Sequence, residues 1–290
     1  MKISIIIPVY NGENTIKECL ESVSDQTFKD YEIIVVNSSN DNTQDIIKKD
    51  FPNIKLIHLN KKTFPGAARN IGIKKAKGKI IAFTDADCVV SKDWLENIFE
   101  QQKFYDIVGG CTKNGNPGII SWVSYLSEFN NVLPTMKEKY IDHLPTCNIS
   151  YKKNLFKGKS FPEDFFAGED RILNKNMVEV GLKIFFTPKI KIKHINRNKL
   201  KKFLLHQFAY GRDSAYIHKT FNCGNNFLIK AEYKPKFPFV LFFPIGKFLT
   251  VSLRILKNGS IYFPLFIVLL PLYFMGLSAF TLGFAKEGSK

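Results

Sequence analysis

The chain has 290 residues, a formal net charge of +16 and 45% hydrophobic residues, enough to bury a full core and leave length over beyond an α/β domain of ~200 residues. Its five cysteines, Cys19, Cys88, Cys111, Cys147 and Cys223, show no Cys-x-x-Cys spacing, which argues against zinc and against a disulfide framework. No Gly-x-Gly-x-x-Gly follows the first apolar run and no Gly-x-x-x-x-Gly-Lys occurs, which argues against a dinucleotide fold or a P-loop.

Residues 3–7 read as a buried strand ended by Pro8 and the turn pair Asn11-Gly12. The apolar run at the start is short, and no small-residue cleavage site follows it, so it is not expected to be a signal peptide and the thiols are expected to be reduced. Ile16, Cys19, Leu20 and Val23 fall at helical spacing. Residues 32–36 form a second strand, and the polar loop Asn37 to Asn42 enters a helix that carries Ile46 and Ile47. A third strand covers 54–59. Pro65 suits the first turn of a helix with Ala67, Ala68, Ile71 and Ala76, ending before Gly78.

The stretch Ile80-Ile81-Ala82-Phe83-Thr84-Asp85-Ala86-Asp87 runs apolar like a strand buried on both faces and then presents two carboxylates one residue apart. In an open parallel sheet the ligand crevice lies beyond such strand ends. Two like charges there need a cation or a hydrogen-bonding partner, and the bland alternative is a solvated turn. Ser91 is read as the N-cap of a helix with Trp94, Leu95, Ile98 and Phe99. Alternation of strand and helix at this spacing predicts a mostly parallel sheet between helices.

After Gly109-Gly110 the periodicity weakens, and 119–133 reads as a helical insertion. Residues 146–151 read as a strand. Gly168-Glu169-Asp170 opens a helix through Val180, where a carboxylate pair serves either chemistry or simple capping. Residues 183–186 and 190–194 are short strands, the second ending on His194, a metal ligand or a solvated strand end.

Between Lys183 and Lys236 thirteen basic residues face only Asp213 and Glu232. Such a belt suits nucleic acid or an anionic membrane surface, and the apolar sequence C-terminal to it favours the membrane. Residues 200–216 form a basic amphipathic helix expected to rest on the membrane. Residues 261–284 carry no charge and are long enough to cross a hydrocarbon core of ~30 Å. Residues 237–256, interrupted by Lys247 and Arg254, read as the first arm of a transmembrane hairpin or as an interfacial helix. The expected division is an α/β domain at 1–196, a connector at 197–236 and a membrane-associated tail of one or two helices at 237–290.

Six motifs in order carry a family resemblance: Ile5-Ile6-Ile7-Pro8-Val9-Tyr10-Asn11, the helix end Leu20 to Thr27, Glu32-Ile33-Ile34-Val35-Val36, Gly66-Ala67-Ala68-Arg69-Asn70-Ile71-Gly72, Asp85-Ala86-Asp87 and Gly168-Glu169-Asp170. Together they resemble the family 2 glycosyltransferases of GT-A nucleotide-sugar-binding fold. The resemblance implies that Pro8, Tyr10 and Glu13 line a nucleoside pocket, that Arg69 meets the base or diphosphate, and that Asp85 contacts ribose or metal. It places Mg²⁺ or Mn²⁺ on Asp87, with His194 near the metal. Asp170 matches the catalytic base and Glu169 a residue that orients it or binds the acceptor. Asn37 departs from the pattern, since most members carry an acidic residue there to accept the N3–H of uracil. An amide carbonyl can still accept that proton without the charge. Asp41 keeps the later acidic position of the loop.

The implied activity is inverting transfer from a nucleotide diphosphate sugar to a hydroxyl of a lipid-linked or saccharide acceptor, in surface glycan or glycolipid assembly. The implied location is the cell membrane, with the catalytic domain cytoplasmic. A nucleotidyltransferase and a non-catalytic scaffold on the same fold remain as alternatives. Nucleic acid is not an expected partner, because the positive charge adjoins an apolar tail and no reading motif accompanies it.

Overall fold

The computed structural model describes residues 1–221 and 237–288. Cys223 and the connector residues Lys230, Glu232, Lys234 and Lys236 lie outside the described residues. The chain divides into two compact units: residues 1–115, 136–165 and 169–195 form the first, and residues 116–135, 166–168 and those described from 196 onward form the second.

The first unit is built on one nine-stranded mixed sheet. Its centre is β1 (Ile3–Val9), in which Ile3, Ile5, Ile6 and Ile7 are all fully buried. Alternate side chains face opposite sides of a sheet, so burial of consecutive residues requires cover on both faces. The strand pairs in parallel with β2 (Tyr31–Asn37) on one side and β4 (Ile80–Phe83) on the other, and β3 (Lys55–His58) lies outside β2. Helices α1 (Ile16–Ser24), α2 (Thr43–Asp50) and α3 (Pro65–Lys75) make the connections, and α3 opens on Pro65 as expected. Beyond β4 the direction reverses, because β8 (Ile149–Lys152) enters antiparallel. The sheet continues through β6 (Ile107–Asn114) and β9 (Ile184–His194) to β5 (Cys88–Val90), with β7 (Lys139–Ile141) also on β9.

Several boundaries differ from expectation for local reasons. The stretch around Gly109-Gly110 is a strand, and its glycines are what bring its neighbours close: a Cβ on Gly110 would lie 1.8 Å from the Ile190 carbonyl oxygen, and one on Gly109 2.3 Å from that of Asn148. The two short strands expected at 183–186 and 190–194 are one strand, irregular where Gly110 faces Thr187 and Cys111 faces Lys191. Asn148 closes that irregularity, donating from Nδ2 to the Cys111 and Ile190 carbonyls at 2.9 and 3.1 Å and accepting the Trp94 indole N–H at 2.9 Å. Thr146 to Asn148 form a single 3₁₀ turn ahead of β8 instead of strand. Helix α4 (Trp94–Gln101) starts after Asp93, two residues beyond Ser91.

The second unit is helical. Helix α5 (Ile119–Glu128) stops short of the expected Leu133. Helix α7 (Leu200–Phe221) packs its apolar face against α10 (Leu270–Gly288) instead of leaving it for a lipid surface. Glycines set the approach: a Cβ on Gly211 or Gly283 would come 2.0 Å from the carbonyl oxygen of Phe280 or Phe208. The apolar run at 261–284 is not one helix, since α9 (Phe263–Val268) and α10 meet at Leu269. Among the described residues one helical stretch, Pro244–Val268, is long and apolar enough to cross a membrane, and most of it belongs to α8 (Phe237–Gly259).

Candidate active site

The carboxyl ends of β1, β2 and β4 lie side by side because the three strands are parallel neighbours. The loops leaving β1 and β2 are sewn together. Asn11, at a φ of 54°, turns the chain so that its amide donates to Ser39 Oγ at 2.7 Å and its Oδ1 accepts from the Asn40 amide at 3.2 Å. The Gly12 amide donates to Thr43 Oγ1 at 2.9 Å, and the Glu13 amide to Asp41 Oδ2 at 3.2 Å. The Glu13 carboxylate accepts in return from both nitrogens of Asn42. Tyr10 stands 42% exposed beside this seam with the Lys62 ammonium 4.5 Å from its ring centroid. Pro8 is paired in the ladder with Val36. The Asn37 side chain is fully buried, accepting the Ser39 amide at 2.9 Å on Oδ1 and facing His58 Nδ1 at 3.3 Å from Nδ2. One lone pair of its carbonyl is thereby used.

Arg69 is the hub of the acidic residues. Helix α3 buries it to 3% exposure, and its guanidinium donates to Asp85 Oδ1 at 2.8 Å through Nη2 and to Glu169 Oε1 through Nη1. A fork of fixed geometry can hold two carboxylates at once, which an ammonium does poorly. Burial opposes the charge on Arg69, but Asp85, Glu169 and Asp170 outweigh it and raise its pKa further. Burial likewise pushes Glu169 up to about 7 against the pull of Arg69. Asp85 moves upward too, through burial first, with Arg69 opposing and Asp87 adding repulsion.

Glu169 and Asp170 open α6 (Glu169–Glu179), where the helix N-terminus favours negative charge. Asp170 does not bond Arg69. Its Oδ2 accepts the Thr146 amide at 3.2 Å and its Oδ1 the Arg171 amide at 2.8 Å. Ahead of this pair, Asp213 Oδ2 accepts the amides of Phe166 and Ala167 at 2.9 and 3.0 Å, and Gly168 turns at a φ of 91°. By composition Asp213 is only a minority charge in a basic belt. Its Oδ1 also pairs with the adjacent Arg212 guanidinium, but the contacts to the two amides are long-range, and nothing in local spacing marks them.

Antiparallel pairing of β5 with β9 sets Cys88 opposite His194, and so brings the imidazole to Asp87. His194 Nε2 lies 3.5 Å from Asp87 Oδ1, and these two with Cys88 offer three ligand atoms within 4.8 Å of one another. Burial raises the Cys88 thiol well above its ordinary value, and its sulfur hydrogen-bonds Asp87 Oδ1 at 3.7 Å. A protonated thiol is no ligand for a hard cation, which leaves a carboxylate oxygen and an imidazole nitrogen. That donor pair fits a divalent ion such as Mn²⁺ or Mg²⁺ with further positions open to phosphate oxygens.

Residues 4–164 match the family model for Glycosyl transferase family 2. The chain belongs to this family. Among its relatives, the poly(ribitol-phosphate) beta-glucosyltransferase of Bacillus spizizenii is 35% identical over 189 residues, which is 61% of this chain and 29% of that protein. The Methanococcus voltae dolichyl N-acetyl-alpha-D-glucosaminyl phosphate 3-beta-D-2,3-diacetamido-2,3-dideoxy-beta-D-glucuronosyltransferase is 28% identical over 90% of this chain and 83% of its own length. The chain spans 29% to 64% of the length of three other curated relatives, counting the Bacillus protein. A solved mannosyltransferase from Pyrobaculum calidifontis, in complex with GDP-Man and Mn²⁺, superposes with a TM-score of 0.65 at 16% identity, covering 99% of this chain and 86% of that one. The likeness shows that the fold is that of the GT-A glycosyltransferases.

The fold thus gathers Arg69, Asp85, Glu169 and Asp170 into one electrostatic group, and sets Asp87 and His194 against each other. Pro8, Tyr10, Glu13 and Asn37 stand at the ends of the adjoining strands. The backbone amide of Thr146, which holds Asp170, has no side-chain signature and is invisible in the sequence. Lys62 over Tyr10 is equally silent.

Proposed function

We infer that this glycosyltransferase moves a hexosyl group from a nucleotide diphosphate sugar to a hydroxyl, with inversion, and that the acceptor is lipid-linked. The observation that carries the reading is the Arg69 fork, which ties Asp85 from the end of the β4 segment to Glu169 at the start of α6 and so places Asp170 in the same charged group. Pro8, Tyr10, Glu13 and Asn37 would bind the nucleoside, and Arg69 and Asp85 would orient the nucleotide. Asp170 would take the proton from the acceptor hydroxyl as that oxygen attacks the anomeric carbon in line. The bond from that carbon to the diphosphate breaks with its electron pair leaving on the diphosphate. Held by the two amides, the Asp170 carboxylate is aimed without a direct ion pair, and Arg69 acts on it only through the charged group they share. Inverting transfer requires no carboxylate nucleophile, so one base suffices.

Asp87 and His194 would hold Mg²⁺ or Mn²⁺, which when bound neutralises charge developing on the departing nucleoside diphosphate. Mn²⁺ in the Pyrobaculum structure supports this choice. A lipid-linked acceptor is supported by the dolichyl N-acetyl-alpha-D-glucosaminyl phosphate in the name of the Methanococcus relative and by the apolar tail. The reading takes 1–196 as catalytic domain, 197–236 as connector and 237–290 as membrane-associated tail, with the catalytic domain on the cytoplasmic side of the cell membrane.

The test is release of nucleoside diphosphate from a panel of nucleotide sugars, with and without Mn²⁺ or Mg²⁺. Turnover of at least one donor, lost on chelation and reduced on the order of 10²-fold in Asp87→Ala, is expected. Metal-independent turnover unaffected by that substitution would remove Asp87 from the site, and no turnover with any donor would favour a scaffold.

A further inference from the structure

The stretch Pro244–Val268 has the length of a transmembrane helix, but its polar groups stand in the wrong place for one. Arg254, Lys257 and Asn258 sit at its middle, where a spanning helix would carry them to the bilayer centre and the cost of charge is greatest. Two of them are tied there: Arg254 Nη1 donates to Asn130 Oδ1 at 3.4 Å, and the Asn258 carbonyl accepts from the Thr135 hydroxyl. The helix also ends at Gly259, so its portion from 244 onward is only about 24 Å long at 1.5 Å per residue. Helix α10 offers no alternative span, because one side of it is covered by α7, which carries Gln207, Arg212 and Asp213 with it.

What α8 does present is a one-sided apolar stripe. Ile245, Leu249, Leu253 and Leu256, spaced by four, four and three residues, are 53%, 51%, 64% and 45% exposed. The opposite side is packed, with Val251 and Ile255 buried and the Phe248 ring 5.1 Å from that of Phe274. Lys257 flanks the stripe, about 40° round the helix from Leu253 at roughly 100° per residue, and the second unit's described residues hold ten lysines and arginines against three carboxylates. A helix with an apolar face, a cationic flank, a basic surrounding unit and a polar tie at its end suits the boundary between headgroups and acyl chains.

We propose that α8 lies in the plane of an anionic lipid surface, with the Ile245, Leu249, Leu253 and Leu256 stripe inserted into one leaflet and Lys257 at the headgroups. The tail is then a one-leaflet attachment and not a transmembrane hairpin. The inference deepens the membrane association in the proposed function, and it is tested without sugar transfer, so either can fail alone.

The experiment is binding of the full chain to sealed vesicles of phosphatidylcholine with and without phosphatidylglycerol. Binding to the anionic vesicles is expected to exceed that to the neutral ones about tenfold, and Leu249→Glu with Leu253→Glu to lower it by about tenfold or more. Both positions are exposed, and an unchanged melting temperature and donor binding verify the fold of the double variant. In a Cys223→Ser background, Ser260→Cys is expected to react with an impermeant maleimide only from the face to which protein was added. Labelling by reagent trapped inside the vesicles would establish a crossing and overturn the proposal. Vesicle binding unchanged in the double variant would overturn it as well, as would a stripe buried in a stable dimer of the purified chain that binds no vesicles.

Discussion

At the scale of single residues the site depends on one guanidinium. Arg69 is buried, and removing it strands Glu169 as a buried carboxylate without its cation, so Arg69→Met is expected to destabilise the chain by about 3–5 kcal/mol. Denaturant unfolding measures it, and a loss below ~1 kcal/mol would mean that Glu169 finds another partner. Arg69→Lys keeps the charge but cannot span both carboxylates, so donor kcat/KM is expected to fall at least about tenfold with a smaller loss of stability. Asp41 makes a separate prediction in pH. Burial pushes its pKa up, but the hydrogen bonds from the Thr43 hydroxyl and amide and the Glu13 amide win, and it lies below its ordinary 3.8. The folded state therefore binds this proton less readily than the unfolded chain, and the stabilisation is complete above 3.8 and lost as pH falls through the lowered value. Asp41→Asn keeps an acceptor oxygen but loses the charge, and because the carboxylate is partly exposed it is expected to cost no more than about 1 kcal/mol at neutral pH, with the gap to the parent closing below pH 3.8 in unfolding curves taken across the acid range. A gap independent of pH would assign the loss to geometry and not to charge.

At the scale of elements, what is read in the sequence depends on whether a signal is local. The strands β1, β2 and β4 announce themselves by consecutive Ile and Val, and α1 by Ile16, Cys19, Leu20 and Val23, all four buried. Strand β6 does not, because its two glycines look like a break when their role is to admit the Ile190 and Asn148 carbonyls of neighbours far away in sequence. Gly110→Ala tests that role. It is expected to cost about 3 kcal/mol or more, since the clash is with backbone and cannot be relieved by a rotamer change. A melting temperature equal to the parent's would show that β6 and β9 are less closely apposed. The same distinction divides the candidate site. Asp85, Asp87, Arg69 and the Glu169-Asp170 pair are legible as motifs, whereas the Thr146 amide and the Asn148 bridge act across long separations through groups that carry no pattern. The tail is legible as apolar but not in its form, because Leu269 breaks the uncharged run and the covering of α10 by α7 is a tertiary matter.

At the scale of the whole molecule, the family, the fold and the gathering of acidic residues around Arg69 support one chemical account: a positioned Asp170, and a displacement at the anomeric carbon that proceeds in a single step. A single displacement reverses configuration, and a two-step route through a covalent intermediate restores it. The measurement closest to that account is the anomeric configuration of the first-formed product, read by proton NMR coupling constants, from an α-configured nucleotide sugar donor. A β-linked product from the parent enzyme, with Asp170→Asn slowed by about 10²–10⁴-fold and donor affinity unchanged, is the predicted result. An α-linked product, or full activity in Asp170→Asn, would contradict it.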